Sequence, residues 1–167
     1  MNFRSQVKSA LFTLLQGVTF PDSVNGFTTW QTTSQRWKIW TQVDPSNQPA
    51  MFLTQHREEQ VRRGVGQFIR VYLICQVWCY APTGDAGSGN IGDQMLDSME
   101  TGIEAALKPG PGNYYRDEQT LGGLLGATGW VRVDKTDNMF LRDPGDMDSQ
   151  ALLLLPIRIL LPEGVPT

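Results

Sequence analysis

Histidine and cysteine are scarce in this chain, and neither sign of charge dominates it. Its 167 residues include one histidine and two cysteines, with 14 Lys and Arg against 17 Asp and Glu. His56, Cys75 and Cys79 are too few to complete a metal site of the usual four ligands. On a strand, Cys75 and Cys79 share a face but lie about 13 Å apart at a rise of about 3.3 Å per residue. A disulfide needs Cα atoms within about 7 Å. Two buried free thiols are therefore expected, as suits a reducing cytoplasm. The net charge of −3 gives no global reason to bind nucleic acid through its phosphates.

Long hydrophobic runs are missing too. The longest, Ala151–Leu161, is interrupted by Pro156 and Arg158 and is too short to span a bilayer, so no membrane is expected as a partner. Arg4 and Lys8 ahead of Ala10–Leu15 have the outline of a signal peptide. Thr13 and Gln16 break that run and no small-x-small cleavage site follows, so an amphipathic helix explains it better. With 40% hydrophobic and 19% charged residues, the chain is expected to fold as a single domain over residues 1–167.

Catalytic signatures are also lacking. There is no G-x-S-x-G, no nucleophilic Cys–His pattern and no H-E-x-x-H, which leaves His56 a structural residue. Gly87-Ser88-Gly89-Asn90-Ile91-Gly92 matches G-x-G-x-x-G, but six residues part its first glycine from the preceding strand. The pyrophosphate turn must leave the strand directly, so a mobile loop capped by Asn90 is the expectation and no cofactor is implied. Asp143, Asp146 and Asp148 have the spacing of a calcium loop without its terminal Glu, and read as a solvated turn.

Helical periodicity marks Asn2 to Gly17, with Phe3, Val7, Leu11, Leu14 and Leu15 on one face, Asn2 as cap and Gly17 as a left-handed stop. A second helix is predicted from Asn90 to Leu107, on a stripe of Ile91, Met95, Met99 and Ile103. Strands are predicted at Arg36–Val43, Ala50–Gln55, Phe68–Tyr80, Gln119–Leu125, Trp130–Asp134 and Ala151–Leu161. Arg57 to Arg63 reads as an exposed loop or as strand ends joined by a turn. The order implies an α+β fold, a mainly antiparallel sheet with two helices on one face.

Both faces of the closing strand are apolar, and Phe68–Tyr80 carries an aromatic-polar second face with Tyr72, Ile74 and Trp78. Two helices cover about one face of one sheet, so a second copy of the chain is expected to cover the other. Tyr72, Ile74 and Trp78 are candidate subunit contacts, and Arg57, Arg62 and Arg63 either pair with acidic groups of a neighbouring copy or keep their own loop soluble. Asp93, Asp97, Glu100 and Glu104 form an acidic stripe opposite the core stripe of the second helix. Such a stripe is a solvated face or, in a ring, the lining of a channel that repels DNA phosphates.

Taken in order along the chain, several pieces resemble the tail terminator (tail completion, minor tail protein U-like) family of long-tailed bacteriophages. They are Arg4-x-x-Val7-x-x-Ala10-Leu11, Trp37-Lys-Ile-Trp40, Gln48-Pro-Ala-Met-Phe-Leu53, the strand Val71–Tyr80, the second helix, Gln119-Thr-Leu-Gly-Gly123 and the closing Ala-Leu-Leu-Leu-Leu-Pro-Ile-Arg-Ile159. The resemblance implies a virion protein of the tail and neck, assembled in the host cytoplasm, with no catalysis. It implies a homo-oligomeric, hexameric ring around the DNA path, with the tail tube protein below and a head-completion or neck protein above. DNA would pass through without sequence-specific binding. A different neck ring, such as a head–tail adaptor, and a small nucleotide-binding enzyme using residues 87–92 are the other classes open.

Overall fold

Two α-helices, six strands and two single-turn 3-10 helices make up the regular structure among the described residues of the computed structural model, which are 2–62, 64–83, 91–108, 119–145 and 149–164. Helix α1 spans Phe3–Gln16. The Asn2 side chain accepts from the Ser5 N–H at 2.8 Å, as its cap position requires. Gly17 ends the helix at φ −83°, so the stop is not the left-handed one expected. Helix α2 spans Ile91–Ala106.

The sheet runs β1 (Thr32–Ser34), β2 (Ala50–Val61), β3 (Arg70–Pro82), β6 (Gln150–Leu160) and β4 (Trp130–Val133), with β5 (Leu141–Asp143) also on β6. Only β1, beside β2, is parallel to its neighbour. The fold is α+β. Both helices lie on one face, where Val7, Leu11 and Leu15 of α1 and Leu96, Met99 and Ile103 of α2 join one core with Leu73, Cys75, Val77, Leu153, Leu155 and Ile157. Period two on the strands and 3.6 on the helices make these residues converge.

Pro156 sits inside a central strand, where the missing N–H should leave a gap in the ladder. Pairing of β4 ends at Val133 opposite Ile157, and that of β5 begins at Leu141 opposite Leu154, so Pro156 falls between them. Its carbonyl accepts from the Asp134 N–H at 2.9 Å.

Three further sequence expectations give way. Residues 36–43 are not a strand; they carry a 3-10 turn at Trp40–Gln42, and the first strand lies earlier, at Thr32–Ser34. Gln119–Leu125 keeps one bridge, Gln119 to Val131, before positive φ at Leu121, Gly122 and Gly123 turns the chain out of the sheet. A short strand, β5, lies in the expected polar loop. Of the two readings of the charged stretch after Gln55, the strand ends prevail: β2 continues to Val61, with a bulge between Gln55 and Arg57. Arg63 lies outside the described residues.

Candidate functional site

The β2–β3 hairpin is longer than the sheet that supports it. Its pairing runs to Val61 opposite Arg70, whereas β6 pairs with β3 as far as Leu160 opposite Tyr72, with one further bond from the Leu161 N–H to the Val71 carbonyl at 3.0 Å. The tip beyond carries apolar side chains into solvent: Val65 is 104% exposed and Phe68 71%, with Val61 and Ile69 also exposed. Arg62 and Arg70 flank it, and neither makes an ion pair among the described residues. Clustered apolar groups with unpaired cations mark a contact surface more than a solvated turn. Of the predicted contacts, Arg62 lies on this tip.

Arg57, Tyr72, Ile74 and Trp78 lie elsewhere, on the sheet face opposite the helices. Ile74 is 2% and Tyr72 8% exposed within the single chain. Arg158 stands 4.3 Å over the Tyr72 ring, and Trp130 packs beside it with centroids 6.0 Å apart. Arg158 also binds Glu59 at 2.8 Å, and Arg57 joins Glu59 at 2.9 Å to Asp137 at 3.0 Å. The bond from Glu59, then that from Asp137, holds the Arg57 guanidinium protonated against the cost of burial. At the other end, residues 37–43 fold across the face. Trp37 packs at a tilt against Trp78 with centroids 5.3 Å apart, Val43 packs with Ala50, Phe52 and Tyr80, and the Tyr80 hydroxyl donates to the Lys38 carbonyl. The chain therefore covers much of its own second face, and Tyr72 and Ile74 are not free surface for a second copy.

The acidic stripe on α2 also divides. Asp93 is exposed and makes no ion pair of its own. Asp97 accepts from Arg142. Glu100 is 5% exposed, bound by Lys135 and, at 2.7 Å, by Arg142. Glu104 shares Lys135, whose ammonium is held protonated by its bonds to Glu100 and then Glu104. Lys135, just beyond β4, and Arg142 of β5 thus neutralise Asp97, Glu100 and Glu104, and Glu100 in particular cannot line a channel in this conformation. Sequence spacing placed the four acids on one helix, but the cations that meet them lie some 30 to 45 residues away.

Gly92 has a plain packing reason. A Cβ there would stand 1.9 Å from the Pro144 carbonyl oxygen, so only glycine lets α2 begin against that backbone. The rest of the G-x-G-x-x-G stretch, residues 87–90, lies outside the described residues, as do Asp146 and Asp148. Asp143 accepts from the Gly145 N–H within its own turn. Both cysteines are free and buried; burial pushes the Cys75 thiol up to about 12 and the Cys79 thiol also upward. No three His, Cys, Asp or Glu side chains among the described residues gather as a metal site. No described helix is long and apolar enough to cross a membrane.

A second exposed apolar group lies on the covered face, where Trp37, Ile39 and Trp40 come from the crossing segment and Leu141 from β5. Arg36 and Lys38 border it, each without an ion pair among the described residues. On the helix side, a cleft of about 420 Å³ opens between Asp22 and Ser23 and the first turn of α2, with Ile91, Gln94 and Met95. No family model and no curated protein sequence matches this chain.

Proposed function

We propose that this protein is a structural subunit of a bacteriophage virion, the tail terminator that caps the tail tube as a ring. The projecting β2–β3 hairpin carries this proposal, because an apolar, basic tip standing clear of its own sheet is surface built to meet another chain. The order of motifs resembling the tail terminator family supports the same assignment. In this role the subunit assembles into a hexamer around the DNA path, with the tail tube protein on one side and a head-completion or neck protein on the other. Its work is binding and geometry, with no reaction to catalyse. The exposed group around Trp37, Ile39 and Trp40 is the surface left for one of those partners. Of the acidic stripe, Asp93 and Asp97 alone keep enough exposure to face DNA.

Cryo-EM of the particle neck tests the assignment. Six-fold density for this chain at the tail–head junction is expected, together with tails of uncontrolled length, or tails that never join filled heads, when the chain is missing. Twelve-fold density would move the protein to a head–tail adaptor. Normal particles from phage lacking the chain would overturn both.

A further inference from the structure

Two pieces of the described chain cover the sheet face that carries no helix, and they are held unequally. The arm after β4 is clamped at one end of that face. Asp137 binds Arg57 at 3.0 Å, Asp134 lies 3.6 Å from Arg158, and the Asp134 N–H donates to the Pro156 carbonyl at 2.9 Å. Residues 35–42 cross the other end, and all eight are exposed. Among the described residues, their hydrogen bonding to the face runs through Tyr80, whose hydroxyl donates to the Lys38 carbonyl at 3.1 Å. Their remaining bonds are local, from Arg36 to Ser34, between Ile39 and Gln42, and from Val43 to Trp40. Trp37 against Trp78, and Val43 against Ala50, Phe52 and Tyr80, complete the attachment.

We propose that residues 35–43 form a strap that opens on its own while the sheet and both helices stay folded. A segment with little buried apolar surface and few bonds to its support opens at a lower free energy than the core. The Trp78 indole N–H adds to this, since it is buried with no acceptor among the described residues, a cost that opening removes.

Both ends of the strap are fixed. Thr32–Ser34 pairs with Ala50–Phe52, and the Gln31 N–H donates to the Pro49 carbonyl at 2.8 Å. The strap therefore lifts as a loop and leaves β1 and β2 paired. Opening bares Ala50, Phe52 and Tyr80, none of them more than 1% exposed while it is closed. The strap thus gates this surface: solvent or another chain reaches these side chains only in the open state. This holds whether or not the chain is a tail terminator.

Thiol labelling tests the strap. Ala50→Cys places a probe beside Val43 on the second face, while Cys75 and Cys79, in the helix-side core, report opening of the whole subunit. Far-ultraviolet circular dichroism checks the fold, and Val43→Cys, on the strap itself, takes over as probe if Ala50→Cys disturbs it. In native buffer the new thiol should react at least about 10-fold faster than Cys75 and Cys79, yet at least about 10-fold slower than in denaturant. Leu11→Ala weakens the core in the open and closed states alike. It should speed Cys75 and Cys79 by about 30-fold or more and leave the new thiol within about 2-fold. Urea below its midpoint should act in the same way, because a strap exposes little surface when it opens. Trp37→Ala should speed all three thiols by about 10-fold, since it weakens the closed state against both kinds of opening. A new thiol that tracks Cys75 and Cys79 through Leu11→Ala and urea would overturn the strap, because the face would then open only with the whole fold. So would one that reacts as fast in buffer as in denaturant, because the face would then not be covered at all.

Discussion

The indole of Trp37 rests on that of Trp78, with centroids 5.3 Å apart and planes at 58°. This pair closes one end of the sheet face that carries no helix. Trp37 is 43% exposed, so Trp37→Ala should lower stability by about 1–2 kcal/mol, less than a fully buried tryptophan would lose. Trp40→Ala, on the same segment, should change it by less than about 0.5 kcal/mol. Urea midpoints measure both, and equal effects would mean that the segment does not cover the face.

Helix α1 is held by Val7, Leu11 and Leu15, all fully buried. Leu11→Ala or Leu15→Ala should each destabilise the fold by roughly 2–5 kcal/mol. A change below about 1 kcal/mol in denaturant unfolding would show that the helix is not docked on the sheet.

Glu100 lies beneath Lys135 and Arg142 with its side chain 7% exposed. Glu100→Lys leaves three cations together in a partly buried place and should cost about 3–5 kcal/mol. Asp93→Lys, on the same helix but exposed, should stay within about 0.5 kcal/mol. Thermal unfolding of the two variants separates a structural clasp from a solvated stripe. Ile74 is 2% exposed. By the same reasoning Ile74→Asp should unfold the subunit rather than merely release it from an assembly.

Acid should weaken the fold through two carboxylates. Arg4 grips Glu58 through Nε at 2.8 Å and Nη2 at 2.9 Å, and this bond holds the carboxyl below its usual range. The Met139 N–H, then Arg57, does the same for Asp137. Both folded pKa values lie under the unfolded ones, so their stabilisation is complete above about pH 5 and is lost as pH falls through the folded values, below about pH 4. Glu58→Gln should flatten that part of a stability–pH curve; an unchanged acid limb would show that the Arg4 contact does not form in solution.

Neither thiol should react while the protein is folded, since burial keeps Cys75 and Cys79 protonated. A chromogenic disulfide at about pH 8 should titrate no thiol in buffer and two in denaturant. Rapid reaction of either under native conditions would contradict the packing of β3.

Period and composition were enough to place both helices, the long strands β3 and β6, and the α+β class. Each of those elements buries a face in its own local repeat, and a local repeat can be read without knowing the partner. Phe68–Tyr80 and Ala151–Leu161 shift by only one or two residues in the structure, to Arg70–Pro82 and Gln150–Leu160. The apolar second face of β6 also correctly signalled that something covers it. What covers it was decided by the tertiary structure. Arg36–Val43 alternates like a strand, yet it crosses the sheet because Trp37 and Val43 find their apolar contacts on Trp78 and Phe52. The α2 acids look like a bare stripe until β4 and β5 bring Lys135 and Arg142 against them. A sequence repeat reports that a side chain is buried or charged. Its partner is fixed only when chain topology joins residues far apart in sequence, and here that step turned an expected subunit interface into the protein's own second layer.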